Sequence, residues 1–597
     1  MCGIFGYNQA SEKSRNGSFF ADLAHRGPDA AATCETGSWT LGHLRLSIIE
    51  TSSASNQPFL KDGNALIFNG EIYNYLELSR DHLSNEVLRT ASDTEVLITL
   101  LNRDGLSCLN HLNGMFAFAW HDATTDTLHL VRDRFGVKPL YYTTAAGHVY
   151  FSSEITPLTR LHGETRLDEG IIASFMADTA TDFDERSGIV GIQQVKPGHY
   201  LTITSTGTVS EHRWYTGSDY RVDTSIFANK AKTITAFEDL LTDALRLRHR
   251  ADVPICITLS GGLDSTSLYV LAKEKLQSNI KPFVFAHPGA ATDESERATA
   301  LARSYGDEPI VVTSSHPQGH TALTEALRYL EFPIWNPSAV AYLDMYKAIK
   351  AAGYTVVIEG HGSDEQLGGY PYMIEAAWKQ ALLTLRFRLA HTLYRTWLGT
   401  QNTTLGQQPA ARSLGKDIVM MTKGILRGVA KMLLAPRKWQ YLSFNALVRD
   451  SFDYKILPIV LRTFDRLPMA ASLETRCPFM DYRVVEFIRA LPLEYKVNEI
   501  GSKAILREIL KKYGHAAIYQ NRAKMGFASD IPSLLNEPTT RATLVSGVQR
   551  FNHPAWDAQK VKAQTLLKKD RISWDDVTPI WKVAAVTMIE DYYGQPH

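Results

Sequence analysis

Short apolar runs recur through the first third of the chain. These runs are bounded by glycine, asparagine or aspartate, which is typical of strands between turns; they are GNALIFNG, MFAFAWHD, TLHLVRD and HVYFSSEI. Among them, DTEVLITLLNRDG has apolar residues at helical spacing, with Ser92 or Asp93 as N-cap and Gly105 as its stop. Strands with a few helices predict a layered α/β or α+β domain over residues 2–210.

The pattern of predicted strands and helices changes after a polar stretch, residues 211–235, which we interpret as a linker. From residue 236 onward, buried-strand runs alternate with helical runs; the strand runs are VPICITL, PFVFAH, PIVVTS and TVVIEG. Such alternation predicts a parallel sheet with helices on both faces. The second domain is therefore predicted to span 236–597, with a helical C-terminal part.

Composition and charge limit the function classes. The 597 residues include 63 basic and 63 acidic side chains and are 44% hydrophobic, which is ordinary for a globular protein and favours no nucleic-acid partner. No apolar run reaches the ~18 residues of a spanning helix, so no transmembrane segment is predicted. The polar residues after MCGIFGYNQA do not form a secretory signal, and five scattered cysteines indicate a reduced, cytoplasmic protein.

A basic stretch at about 378–440 departs from this balance. Lysine and arginine recur there among leucine, phenylalanine, tryptophan and methionine, against the lone acidic Asp417. One interpretation is a helical insertion with a solvated basic face. The other is a surface for an anionic substrate or for lipid headgroups, which would give peripheral membrane contact.

Cys2 directly follows the initiator Met1. Removal of Met1 would give Cys2 both a thiol and a free α-amine of pKa ~8. Such an amine can accept the thiol proton without a histidine partner. If Met1 is retained, the nitrogen is part of a peptide bond and cannot serve as the base.

Cys2 belongs to the first of six motifs in the first domain. In order along the chain they are MCGIFGY, HRGPD, LGHLRLSI, FNGEIYN, SDTEV and VRDRFGVKPLYY. Together they resemble the glutaminase domain of class II glutamine amidotransferases. The resemblance implies an N-terminal nucleophile αββα sandwich in which Cys2 attacks the side-chain amide of glutamine. His25 and His43 lie inside these motifs, and we interpret them as structural.

The same resemblance assigns a glutamine pocket. Asn69 and Gly70 would form the oxyanion hole, and Arg45 would pair with the substrate carboxylate. Glu71 and Asp93 would take the substrate ammonium. Each residue also has an ordinary structural alternative: a surface ion pair for Arg45, a helix cap for Asp93 and a hairpin turn for Asn69-Gly70.

A second candidate site begins at SGGLDS, between a predicted strand and a helix. Its glycines let backbone N–H groups approach phosphate at a helix N-terminus. SGGxDS resembles the loop of ATP pyrophosphatases, in which the aspartate, here Asp264, holds Mg²⁺. The resemblance assigns the following residues to ATP binding: Leu259, Ser260, Gly261, Gly262, Asp264, Ser265, Val284, Glu359 and Gly360.

Two later segments extend this resemblance. In EGHGSDEQLGGY, Asp364 is implied as the other magnesium ligand, and two carboxylates facing one phosphate loop suit a hard cation. In GSKAILRE, Lys503 is implied as the cation that stabilises the transition state. SLETRCPFMDYRVVEF also matches a family segment. For its Arg476 and Asp481, a core salt bridge is at least as good an interpretation as a role in the site.

Both domains in this order resemble glutamine-dependent asparagine synthetases. The resemblance implies ATP and Mg²⁺ as cofactors, and glutamine, ATP and an acceptor carboxylate as partners. Ammonia released at Cys2 would pass through an internal tunnel to an acyl-adenylate. The chain could act alone or as a homodimer.

Two departures from the family pattern concern the acceptor. His361 stands where these enzymes usually carry an acidic residue, and Glu359 replaces the usual serine or threonine. Histidine can act as a base near neutral pH, so His361 is a candidate catalytic residue, but it could also attract an anionic acceptor. The acceptor is therefore aspartate or another carboxylate, such as a sugar uronic acid or a secondary-metabolite acid.

Two other classes of function stay open. One is a cyclising amide synthetase with an inactive glutaminase, although such relatives lack the terminal cysteine. The other is a non-catalytic glutamine or nucleotide sensor. Cys2 and the intact pocket motifs argue against the first, and the intact SGGLDS, Asp364 and Lys503 argue against the second.

Overall fold

Two antiparallel six-stranded sheets form the first part of the structure, a computed structural model that describes residues 2–8, 16–217, 220–288, 293–313, 319–401, 443–521 and 530–594. In spatial order, the first sheet contains β10 (Ile192–Gln194), β8 (Tyr141–Ala145), β9 (His148–Ser152), β1 (Gly3–Tyr7), β3 (Trp39–Arg45) and β2 (Ala30–Thr36). The second contains β12 (Val209–Arg213), β11 (His199–Thr204), β7 (Thr127–Arg132), β6 (Gly114–Asp122), β5 (Asn64–Ile72) and β4 (Phe59–Lys61). The helices beside them are α1 (Asn16–Leu23), α2 (Tyr75–His82), α3 (Asp93–Asp104), α4 (Thr156–His162) and α5 (Glu169–Asp178).

The period-2 alternation of strand side chains explains the layering. On β1, Ile4 packs into the apolar layer shared with the second sheet, whereas Phe5 points to α1 and stacks on Phe19 with ring centroids 4.4 Å apart. On β5, Phe68 packs against Leu97 of α3. Helices therefore cover both outer faces, and the predicted αββα sandwich is confirmed.

The second part is built on a five-stranded parallel sheet. Its spatial order is β15 (Ile310–Thr313), β14 (Lys281–Ala286), β13 (Ile255–Thr258), β16 (Val356–Ile358) and β17 (Glu474–Arg476). Helix α6 (Lys230–Leu247) precedes the first of these strands, and the helices between them begin with α7 (Leu263–Glu274), α8 (Ser295–Ser304), α9 (Gly319–Leu330), α10 (Ala339–Ala351) and α11 (Ser363–Leu367). Because β13 and β16 are neighbours and parallel, the SGGLDS and EGHGSDE segments that follow them meet at one edge of the sheet.

Helices make up the rest of the described chain. They are α12 (Pro371–Leu383), α13 (Phe387–Gln401), α14 (Phe444–Asp450), α15 (Leu457–Ala470), α16 (Tyr482–Ala490), α17 (Leu493–Lys496), α18 (Ala504–Lys512), α19 (Ala516–Tyr519), α20 (Ile531–Asn536), α21 (Pro538–Arg550), α22 (Asp557–Leu567) and α23 (Trp574–Gly594). In the parts of the chain that are described, no helix combines the length and apolar character needed to cross a bilayer.

Local sequence signals predicted several elements well. α3 begins at Asp93 with the Ser92 hydroxyl accepting the Glu95 N–H at 3.2 Å, and it ends at Gly105 as predicted. In the segment interpreted as a linker, residues 211–213 continue β12, and α6 already begins at Lys230. Residues 211–213 are a strand because they pair with β11, and α6 begins before residue 236 because Asn229 caps it. The domain division at 211–235 stays a prediction.

The basic stretch is described only in part. Residues 378–401 belong mostly to α12 and α13, as the helical interpretation predicts, and Lys379 pairs with Glu375 at 2.6 Å. The remainder, 402–440, lies outside the described residues. Both interpretations of this stretch, the solvated face and the lipid or anion surface, therefore stay predictions.

Candidate active sites

Cys2 is buried at the start of β1, between the two sheets and the second domain. Its backbone nitrogen lies 3.0 Å from Asn69 Oδ1, and its carbonyl accepts a hydrogen bond from Arg26 Nε at 3.1 Å. Burial raises the pKa of the Cys2 thiol. A thiol of raised pKa is protonated at neutral pH and needs a base to become a nucleophile. Met1, whose removal would supply an amine, lies outside the described residues.

Asn69 and Gly70 lie on β5 directly beside Cys2. The Asn69 Nδ2 group is buried and donates no hydrogen bond to any described residue, although the amide oxygen is fixed by Cys2. A buried donor without a partner is uncommon and suits a group that binds a ligand oxygen. Gly70 has φ +149°, and a Cβ there would lie 2.0 Å from the Met115 carbonyl oxygen, so only glycine fits. This geometry can supply an oxyanion hole.

Two buried carboxylates stand near these groups. Asp93 accepts the Ile72 N–H at 2.9 Å, and burial raises its pKa to about 6. Burial, and then repulsion from Glu474, raises the pKa of Glu71. A cation such as an ammonium group bound beside them would therefore stabilise the charged form of both carboxylates. This fits the predicted ammonium pocket, whereas Ser92, not Asp93, is the helix cap.

Arg45 ends β3 and is buried. Its guanidinium donates to the Ser52 carbonyl at 2.7 Å and to Asn56 Oδ1 at 2.8 Å, as well as to the carbonyls of Ile49 and Glu50. These contacts hold the side chain against the following loop. The surface ion pair proposed as the alternative is not formed with any described residue, and the contact with the glutamine carboxylate stays a prediction.

The two motif histidines have structural partners. His43 is buried, its Nε2 lies 3.2 Å from the Phe68 carbonyl, and burial lowers its pKa to about 3, so it is neutral. His25 Nε2 lies 3.0 Å from Glu154. Neither contact involves Cys2, in line with the structural roles expected for both.

The SGGLDS segment forms a loop at the N-terminus of α7. The Ser260 N–H donates to Ser265 Oγ at 3.1 Å, and Gly262 N–H donates to Ser260 Oγ at 3.3 Å. Gly261 has φ +73°, which glycine adopts without steric cost. The loop lines a cavity of about 840 Å³, near the upper end of the ~300–1,000 Å³ typical of small-molecule sites. A loop of this kind at a helix N-terminus can bind phosphate.

Asp264, Asp364 and Lys503 meet in this cavity. Lys503 Nζ lies 2.8 Å from Asp364 Oδ1 and also contacts Asp264 Oδ2. Lys503 is buried and has the left-handed backbone conformation, φ +55°, at the start of α18. A buried ammonium between two carboxylates shows that one cation can reach both.

The two aspartates fit a magnesium site. Mg²⁺ is usually held by one or two carboxylates together with substrate phosphates and water. Asp264 belongs to the SGGLDS segment and Asp364 lies on α11, and both line the same cavity. Gly360 is tightly packed against this pair, because a Cβ there would lie 2.7 Å from that of Asp264.

His361 and Glu359 form a hydrogen-bonded pair on the same edge of the sheet. His361 Nε2 lies 2.9 Å from Glu359 Oε2. Glu359 is buried and also accepts bonds from the Tyr346 hydroxyl, at 2.9 and 3.1 Å, and from Thr258 Oγ1 at 3.2 Å. The His361 ring stacks on Phe464 at a centroid distance of 3.4 Å. The imidazole is thus fixed in orientation while it lines the cavity.

Val284 does not line the cavity among the described residues. Its side chain is packed in the core of the second domain, and its neighbours Phe283 and Phe285 line the cavity instead. Strand alternation is the reason, because adjacent side chains point to opposite faces. Any contact between Val284 and adenine would have to come from its backbone. Leu259, Glu359 and Gly360 do line the cavity, and their contact with ATP stays a prediction.

Several residues near the sites were not predicted from the sequence. Ser363 donates to Asp264, and Tyr346 fixes Glu359. Arg26, beside Cys2, pairs with Glu154 and Asp465, both at 2.9 Å. Asp465 adjoins Phe464 on α15, so this helix contacts both sites. The motifs contain at least one member of each pair, but nothing in them indicates the partner, which lies from 13 residues away for Tyr346 and Glu359 to 439 residues away for Arg26 and Asp465.

Comparison with protein families gives a match for each of the two parts of the chain. Residues 1–215 match the glutamine amidotransferase domain model, and residues 236–576, more than half of the chain, match the asparagine synthase model. The chain belongs to the asparagine synthase family. The family confirms a glutamine-dependent ligase with an N-terminal amidotransferase domain, and enzymes of this family use ATP.

Individual relatives of this asparagine synthase family member differ in name. It is 28% identical to "Amidase chyE" of Penicillium rubens, over 84% of this chain and 83% of that one. It is 28% identical to asparagine synthetase [glutamine-hydrolyzing] 1 of Bacillus subtilis, over 85% of this chain and 82% of that one. "Amidase chry2" of Gibberella zeae is 26% identical, with 84% of each chain covered. The substrate is not fixed at these identities.

A solved structure titled as the allosteric regulatory enzyme of purine biosynthesis is similar over 53% of this chain and 81% of that one, with 16% identity and a TM-score of 0.29. That score is too low to support a conclusion.

Proposed function

We propose that this protein transfers the amide nitrogen of glutamine to a carboxylic acid that it activates with ATP, releasing AMP and pyrophosphate. The observation that carries this proposal is the contact of Lys503 with both Asp264 and Asp364 beside the SGGLDS loop. This contact supports the proposal, because a cation and two candidate metal ligands beside a phosphate-binding loop suit the cleavage of ATP between its α and β phosphates.

The first half-reaction takes place at Cys2. Once Met1 is removed, the α-amine accepts the thiol proton, and the sulfur attacks the glutamine amide carbon. Asn69 Nδ2 and the Gly70 N–H donate to the oxyanion, where a fixed donor is worth about 2.7–4 kcal/mol. Ammonia leaves, and water hydrolyses the thioester to glutamate. Glu71 and Asp93 bind the substrate ammonium, and Arg45 binds its carboxylate.

The second half-reaction takes place in the large cavity. An acid oxygen attacks the α-phosphorus of ATP, an acyl-adenylate forms and pyrophosphate leaves. The SGGLDS backbone and Lys503 bind the phosphates and offset their charge. Asp264 and Asp364 would hold Mg²⁺, which would neutralise part of the phosphate charge.

His361 is the proposed base for the final step. Ammonia attacks the acyl carbon, the amide bond forms and AMP leaves with the acid oxygen. The nitrogen must lose a proton, and the imidazole can take it because it lines the cavity and is oriented by Glu359. A His361→Asn variant should still release pyrophosphate but form amide more slowly, because adenylation does not need this base.

The acceptor is aspartate or another carboxylic acid. The asparagine synthetase relatives favour aspartate, whereas the relatives named amidases favour a different acid. A direct test supplies ATP, Mg²⁺ and glutamine with each acid in turn and measures AMP, pyrophosphate and glutamate. Acid-dependent AMP formation supports the proposal; ADP and orthophosphate as products would refute it.

A further inference from the structure

Two helices contribute an apolar part of the lining of the large cavity. α10 contributes Tyr342 and Met345, one turn apart, and the segment entering α15 contributes Ile456, Ile459, Val460 and Phe464. These last four positions follow the i, i+3, i+4, i+8 spacing of a single helix face. We call Tyr342, Met345, Ile456, Ile459, Val460 and Phe464 the apolar wall.

The apolar wall is next to the proposed reacting centre. Phe464 stacks on His361 at 3.4 Å, and Tyr342 packs edge-on against Phe464 with centroids 4.8 Å apart. An acyl group held for attack beside His361 would therefore extend its body along this wall. The wall is built on helices fixed by core packing, since Ile459 and Val460 are almost fully buried.

The chemistry of the wall is unsuited to aspartate. Aspartate brings an α-ammonium and an α-carboxylate in addition to the carboxylate that is activated, and burying such charges without partners is costly. Charged residues do line other parts of the cavity. Arg297 pairs with Glu294 at 2.9 Å and Lys455 with Asp450 at 2.8 Å, so a substrate carboxylate would compete with these partners. Arg507, which donates to backbone carbonyls, and the exposed Asp178 also line the cavity, but neither belongs to the apolar wall.

Two tryptophans add aromatic surface to the lining of the cavity. Trp335 lines it, and so does Trp574, whose side chain is 54% exposed, although a large aromatic group normally prefers burial. Two indole groups on the lining favour a flat or extended apolar ligand. A cavity of about 840 Å³ has room for such a body beside a nucleotide.

We propose that the acceptor is a carboxylic acid with an aromatic or extended apolar body, larger than aspartate, whose carboxylate reaches His361 while its body lies on the apolar wall. This inference rests on the proposed amidation and names its substrate class. It disfavours both aspartate and the sugar uronic acids, whose hydroxyl groups would lose hydrogen bonds against this wall.

The test compares acids of each class. Purified protein with ATP and Mg²⁺ is given ammonium chloride, which bypasses the glutaminase site, and AMP release is measured with 3-phenylpropionate, indole-3-propionate, L-aspartate and D-glucuronate. The inference predicts that at least one aromatic acid has a kcat/KM about tenfold or more above both aspartate and glucuronate. If aspartate or glucuronate is the best substrate, the inference is wrong while the amidation stands. AMP release with none of the four acids would count against both.

Variants of the wall locate the effect. Val460→Asp should lower kcat/KM for the preferred aromatic acid roughly tenfold or more, with glutamine hydrolysis unchanged as a check on folding. Val460→Thr, of similar volume, should lower it less. Val561→Asp is the control, because Val561 is 59% exposed on α22. Equal activity of Val460→Asp and wild-type protein toward that acid would overturn the inference.

Discussion

The Arg476 guanidinium lies 3.5 Å from the carboxylate of Glu71, and so it joins the glutamine pocket to the parallel sheet of the second domain. Arg476 also pairs with Glu474 at 2.6 Å, and its backbone carbonyl accepts the Glu359 N–H at 3.0 Å. One residue of β17 thus contacts groups of both proposed sites. The core salt bridge that the sequence left open for Arg476 is present, and it spans the two domains.

Removal of this arginine should destabilise the protein. Arg476→Met leaves Glu71 and Glu474 buried without their cation, which typically costs about 3–5 kcal/mol. The free energy of unfolding, measured by urea denaturation, should fall by that amount. Arg80→Met is the matched control: Arg80 pairs with Asp81 on the surface, so a change within about 0.5 kcal/mol is expected. Equal effects of the two substitutions would show that the buried network contributes nothing.

The two sites should be separable by mutation. Cys2→Ala should abolish glutamine hydrolysis but leave amidation with ammonium chloride intact, since the second cavity does not use the thiol. Asn69→Ala should lower the kcat of glutamine hydrolysis about 10²–10³-fold, because a fixed oxyanion donor is lost. Loss of ammonia-dependent amidation in folded Cys2→Ala protein would contradict the division of labour.

Glutamine binding should depend on pH through Asp93. Burial raises the pKa of Asp93 to about 6, so the carboxyl is neutral below that pH and charged above it. Only the charged form attracts the substrate ammonium, so the KM for glutamine should rise as pH falls from 7 to 5. In Asp93→Asn protein the KM should be high throughout and should depend less on pH, with Glu71 as the remaining carboxylate of raised pKa. A KM of wild-type protein that is flat over the range would contradict the assignment.

Lys503 should serve the nucleotide half-reaction alone. Lys503→Ala removes the cation between Asp264 and Asp364, and acid-dependent pyrophosphate release should fall about 10²-fold or more. Glutamine hydrolysis without ATP should stay within about twofold, since Lys503 has no contact with the Cys2 site among the described residues. Lys503→Arg keeps the charge and should retain more activity than Lys503→Ala. A parallel loss of glutaminase activity would indicate a structural role instead.

Features encoded locally were predictable from the sequence. Ser92 and Gly105 bound α3 because capping depends on residues within one turn, and the SGGLDS and EGHGSDE segments converge because they follow neighbouring parallel strands. Contacts between distant residues were not predictable in this way. Nothing local marks Phe464 as the partner of His361, or Asp465 as the partner of Arg26, because tertiary packing alone decides them.

Transfer of labelled nitrogen tests the central claim most directly. Glutamine labelled with ¹⁵N in its side-chain amide is supplied with ATP, Mg²⁺ and the acid that gives the fastest AMP release, and the product amide is analysed by mass spectrometry. The account predicts ¹⁵N in that amide, with one AMP and one pyrophosphate formed per amide. An unlabelled product, or ADP in place of AMP, would contradict it.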